Sequence, residues 1–116
     1  MTTYVTINGP VPKAAGDVLV ERKRQIEQEG FDSFHDDDHD AGDLACAGAA
    51  YALEAGCKLN PQMQQGLDGP PDFWMWHIKW WKPKDPRRDL VRAAALIIAE
   101  IERIDRQTDP ASVAPG

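Results

Sequence analysis

The sequence predicts an all-α protein: a small helical bundle of three main helices with an aromatic-rich connecting segment. Three observations carry that prediction. Apolar residues recur at helical spacing in three stretches, near 17–29, 40–56 and 86–106. Only residues 3–7 (TYVTI) are β-branched and aromatic enough for a strand, and one short strand alone does not make a sheet. The 116 residues suit one domain, to which four Trp, three Phe and two Tyr bring large pieces of core. The expected layout is an N-terminal extension over 1–16, a helical domain over 17–106 and a disordered tail over 107–116.

Asn8-Gly9-Pro10 ends the short N-terminal strand. The first helix is expected from Asp17, a capping residue, to Glu29, with Gly30 as its left-handed stop. Val18, Leu19, Arg22 and Ile26 share one of its faces. Residues 31–40 (FDSFHDDDHD) read as an acidic loop. Asp40 and Asp43 have the spacing of a capping box for the second helix, which is Ala-rich and expected to stop at Gly56. Its inward face is read as Leu44, Ala47, Tyr51 and Glu54. Residues 57–72 hold Asn60-Pro61, Gly66, Gly69, Pro70 and Pro71 and read as loop. FWMWHIKWW, at 73–81, is a short helix or an extended segment laid across the core. Asp85 caps the last helix and Pro86 fits its first position. Leu90, Ala94, Ile97, Ile101 and Ile104 form its stripe, widened by Val91 and Ile98 and wide enough to serve both a core and a partner.

Composition narrows the function. The formal net charge of -6 argues against a general nucleic-acid binder. No apolar run approaches the ~20 residues that span a bilayer. The N-terminus has no basic start followed by an apolar stretch, so no secretory signal is read and a cytoplasmic location is expected. Cys46 and Cys57, eleven positions apart on one helix, would stand roughly 16 Å from each other. Two reduced thiols are expected rather than a disulfide.

The charge is unevenly placed. Residues 27–43 hold 8 acidic side chains and no basic one. Oxygen-rich clusters suit magnesium, and histidines extend the choice to manganese, iron or zinc. The candidate metal ligands are Glu21, His35, Asp36 and Asp43; the plainer alternative is a solvated loop that caps the next helix. Residues 79–92 run the other way, with Lys79, Lys82, Lys84, Arg87, Arg88 and Arg92 against Asp85 and Asp89. Trp74, Trp76, Trp80 and Trp81 lie just before and among them, and aromatic faces beside cations can hold a base and its phosphate. The candidate ligand-binding residues are Arg22, Gln25, Trp76, Trp81, Lys82 and Arg88. The alternative is that the tryptophans fill the core and the basic run pairs with the acidic loop. A buried Arg22 needs a carboxylate partner, for which Asp43, Asp89 and Glu100 are the candidates. His77 reads as a satisfied core histidine.

The order ERKRQIEQEGF, HDDDH, GDLACAGAAYA and WWKPKDPRRDLVRAAALIIAEIERIDR resembles a group of small proteins encoded by phages and prophages, over about residues 17–106. Phe31 stands where that group carries Trp. The resemblance implies a phage origin and no particular chemistry. A fainter similarity is to the all-α nucleotide pyrophosphohydrolases of the MazG type, which hold magnesium on ExxE and ExxD pairs of neighbouring helices. Here ExxE is absent from the first helix, Asp40-x-x-Asp43 is a variant, and Glu102-x-x-Asp105 lies near a helix end.

Three functions follow as expectations. One is a phage accessory protein that binds a host defence protein through its acidic surface, or binds a small nucleotide. Another is a metal-dependent nucleotide hydrolase, with Mg or Mn on Glu21, His35, Asp36 and Asp43 and the phosphate on Arg22, Lys82 or Arg88. The last is an interaction domain that pairs with a second copy through its long final helix.

Overall fold

The computed structural model describes residues 8–29 and 42–108. The expected strand at 3–7, the stop at Gly30, the acidic loop with Asp40, and the tail beyond 108 lie outside the described residues. The rest forms a small all-α bundle: α1 (Lys13–Glu29), α2 (Asp43–Leu59), one 3-10 turn (Ile78–Trp80) and α3 (Pro86–Thr108). The described residues include no strand. Helix α3 is the shared partner, packing against both α2 and α1.

Local chemistry sets the ends. Pro86 opens α3, and the Asp85 carboxylate accepts the Arg88 N–H at 3.0 Å, closing one orphan donor of the first turn. Helix α1 starts at Lys13, earlier than the sequence suggested, so Asp17 lies inside it and receives Lys13 Nζ at 2.7 Å one turn back. Helix α2 begins at Asp43 after Gly42, which makes no side-chain cap. Its cap comes from α3 instead, where Glu100 Oε2 accepts the Ala45 N–H at 3.1 Å. The helix passes through Gly56 and ends at Asn60-Pro61. A helical glycine costs about 1 kcal/mol. The extra turn offsets that by burying Cys57 and by joining Lys58 to Lys84 O at 2.9 Å.

The core joins Leu44, Ala47, Ala50 and Tyr51 of α2 to Ala93, Leu96 and Ala99 of α3, closed by Trp74 from the connecting segment. Small residues let the two helices approach closely. A Cβ on Gly48 would stand 3.0 Å from both Ala93 O and Ile97 Cγ1. The predicted inward face of α2 is buried throughout, Glu54 included. Glu54 accepts the Leu67 N–H at 2.6 Å, and Gly66 has no side chain because the Glu54 carboxylate occupies that space.

Two faces differ from the expectation. Most of the α3 stripe lies outside the core: Leu90, Ile97, Ile101 and Ile104 are 43–51% exposed, and of its members only Val91 is buried. The buried face carries Asp89, Ala93, Leu96, Glu100 and Arg103, one residue round the helix. Alanines there fit against the Ala-rich α2, where isoleucines would hold the helices apart. On α1, Leu19 and Ile26 are exposed while Glu21, Arg22 and Gln25 are buried. The polar middle of α1 is its docking face, because each buried charge meets an opposite one.

Candidate functional site

The segment between the 3-10 turn and α3 is pinned by side chains from both helices. Tyr51 donates its hydroxyl to Trp80 O at 3.2 Å and accepts the Lys82 N–H at 3.1 Å. Arg92 Nη1 donates to Lys82 O at 2.7 Å, and Asp89 Oδ1 accepts the Lys84 N–H at 2.8 Å. Lys58 Nζ holds Lys84 O. These bonds fall on residues 80, 82 and 84, the period of an extended chain. Trp81 and Pro83 are half-buried, and Trp80, Lys82 and Lys84 are exposed. The WWKPK sequence thus builds a fixed ledge with one aromatic and two cations on its outer side.

Trp80 is 55% exposed, and the ammonium groups of Lys79 and Lys82 lie 5.3 and 5.7 Å from its ring centroid. Ile78 and Met75 are exposed in the same segment. His77 is exposed rather than in the core, and its Nδ1 accepts the Lys79 N–H at 3.0 Å, capping the turn that carries Trp80. The other tryptophans serve the core. Trp81 stacks on Tyr51 at 4.9 Å, and Trp74 meets Tyr51, Trp76 and Trp81 edge-on. Arg92 covers Tyr51, its guanidinium carbon 4.8 Å from that ring.

The candidate ligand-binding residues separate into two places. Trp76, Trp81 and Lys82 belong to the aromatic segment. Arg22, Gln25 and Arg88 lie between α1 and α3. There Arg22 Nε meets Glu102 at 2.8 Å, a partner other than the Asp43, Asp89 or Glu100 expected. Glu21 Oε1 accepts from Arg88 at 2.6 Å and from Arg24 at 2.8 Å, while Oε2 accepts from Arg24 and from Gln25. Burial opposes ionisation of Glu21, but the hydrogen bonds from Arg24 and Arg88 outweigh it and hold the carboxyl below its ordinary range. Arg87 pairs with Asp17 at 2.9 Å. An open cleft of about 420 Å³ runs along this network, lined by Asp17, Glu21, Arg24, Arg87 and Arg88, whose charges are already turned on one another.

Of the candidate metal ligands, Glu21 is committed to those guanidiniums, Asp43 opens α2, and His35 and Asp36 lie outside the described residues. Among the described residues no three His, Cys, Asp or Glu side chains are grouped to hold a metal ion. Asp89 is fully buried, and desolvation raises its carboxyl above the ordinary range despite the Lys84 N–H and nearby Arg92 and Lys58. Both cysteines are free thiols. Among the described residues no helix is long and apolar enough to cross a membrane.

Sequence placed Trp80 and Lys79 in the aromatic and basic runs but not among the candidate ligand-binding residues. The signal was the alternation in WWKPK, which assigns 81 and 83 to one side and 80, 82 and 84 to the other once the stretch is taken as extended. No protein-family model, curated protein or solved structure matches the chain.

Proposed function

We propose that the protein acts by binding, as a phage or prophage accessory protein in the cytoplasm of a bacterial host, and that its ligand is a small nucleotide. The observation carrying this reading is the outward Trp80 with Lys79 and Lys82 against its ring. The ring is large, apolar and open to solvent, with the exposed Met75 and Ile78 in the same segment. A base can stack on it, at about 1–3 kcal/mol per stacked base. The lysines leave the ring at a cost of about 0.5–1 kcal/mol for an exposed cation–π contact and turn to the phosphates. The pinned backbone favours binding further, since the ledge is ordered before the ligand arrives.

Calorimetric titration with adenosine and guanosine 5′-triphosphates, in the absence of divalent cations, tests the reading. Binding is expected to weaken at least tenfold in Trp80→Ala and by several-fold in Lys79→Ala with Lys82→Ala, and to fall with added salt. Inorganic triphosphate alone should bind more weakly than either nucleotide. Undetectable heat at millimolar nucleotide, or equal affinity in Trp80→Ala, would reject it.

A further inference from the structure

Lys79 and Lys82 lie against the Trp80 ring, but Lys84, the last outward residue of the ledge, does not. Its backbone is nevertheless held from beneath by two charged groups. Asp89 Oδ1 accepts its N–H at 2.8 Å, and Lys58 Nζ donates to its carbonyl at 2.9 Å. Asp89 is fully buried, and its other oxygen, Oδ2, has no hydrogen-bond partner. A buried carboxylate with one oxygen unpaired costs stability, and apolar packing would often serve the fold as well. What Asp89 secures is the position of Lys84. The Lys84 side chain is exposed, and its ammonium forms no ion pair or hydrogen bond among the described residues.

Charge gives the ledge a direction. Residues 79–84 hold Lys79, Lys82 and Lys84 and no acid, whereas residues 73–78 hold no lysine or arginine and expose Phe73, Met75 and Ile78. A phosphate chain leaving a base stacked on Trp80 is therefore drawn towards Lys84. Alternate residues of an extended chain repeat at about 6.6 Å, so Lys82 and Lys84 follow Trp80 at roughly 7 and 13 Å. An extended nucleoside triphosphate covers a comparable length, with the sugar and first phosphate over one step and the remaining phosphates over the next. The flexible lysine stem spans what is left. The basic row ends at Asp85, whose carboxylate accepts the Arg88 N–H, so a longer anion meets a like charge there.

We propose that Lys84 determines specificity at this site: it binds the terminal phosphate, so the ledge selects nucleoside 5′-triphosphates over di- and monophosphates. Asp89 is the positioning residue that fixes it. This rests on the nucleotide reading but concerns phosphate number, to which stacking on Trp80 is blind.

Calorimetric titration of the full chain with adenosine 5′-mono-, di- and triphosphate, without divalent cations, tests it. Affinity is expected to rise about three- to fivefold with the third phosphate, the gain from one exposed ion pair. Lys84→Ala should reduce that step below about twofold and leave monophosphate binding unchanged to the same margin. Lys84→Arg should retain the step. Asp89→Ala should lose it, whereas Asp89→Asn, whose amide oxygen accepts the same N–H, should keep it. Lys84→Ala should keep the helical circular dichroism, because the side chain is exposed, so the two Lys84 variants decide even if Asp89→Ala unfolds. Equal affinity for di- and triphosphate in the parent, or a Lys84→Ala variant that keeps the step, overturns the inference; monophosphate binding that still needs Trp80 would leave the nucleotide reading standing. No binding of any of the three removes both.

Discussion

Glu21 is a buried carboxylate whose ionised form is held by two guanidiniums and an amide. Its proton affinity is below that of the unfolded chain, so it favours the folded state above the ordinary value of 4.5 and ceases to do so as pH falls through the lower folded value. Glu21→Gln should therefore cost stability at pH 7, about 1.5–3 kcal/mol for hydrogen bonds to charged groups. Urea unfolding from pH 7 to 3 should show the gap to the parent protein closing with acid; a gap constant across that range would refute the assignment. The sequence announced that Arg22 needed a carboxylate but not which one. Glu102 supplies it, and the choice depended on the register of α1 along α3, which no local pattern encodes.

At the scale of elements, the α2–α3 contact depends on closeness. Gly48→Val would put a branched side chain where Ala93 O and Ile97 already stand, and backbone cannot turn aside as a side chain can. The expected loss is about 1–3 kcal/mol, as for other overpacked sites. Thermal melts should show it as a lowered Tm, and an unchanged Tm would mean that the helices separate at no cost. Helix existence was legible: three apolar periodicities, the Asp85-Pro86 start and the inward face of α2 are found where sequence put them. The packed faces of α1 and α3 were not. Periodicity measures how strongly a helix is divided into two sides, and the isoleucine side is the more apolar one. Burial followed the alanines, because they fit α2, and Glu100 and Arg103 came inside with them as a mutual pair.

Across the whole molecule, the central helix is held to its two neighbours by different forces. Helix α2 meets it through alanines, Leu44, Leu96 and Tyr51; α1 meets it mainly through Arg88–Glu21, Arg22–Glu102 and Arg87–Asp17. Ionic contacts weaken with acid and salt, whereas burial of apolar area does not. Hydrogen exchange, corrected for intrinsic rates, should show α1 losing protection before α2 as pH falls from about 5 to 3, the range in which the lowered Glu21 and Asp17 carboxyls take up protons, and again in high salt. Simultaneous loss in both helices would mean one cooperative unit. The division of charge along the chain was plain in sequence, and part of its use is now visible. Arg87 and Arg88 answer Asp17 and Glu21 of α1, two acidic residues that precede the dense acidic stretch at 27–43. Lys79, Lys82 and Lys84 remain directed outward.

The unequal burial of the four tryptophans gives the molecule an optical asymmetry. Trp74 is buried and Trp76 and Trp81 are half-buried, so water-soluble quenchers reach Trp80 first and its emission lies furthest to the red. Arrival of a stacked base at the ledge, or its absence, can thus be watched in the unlabelled protein, through the one indole that the fold leaves in solvent.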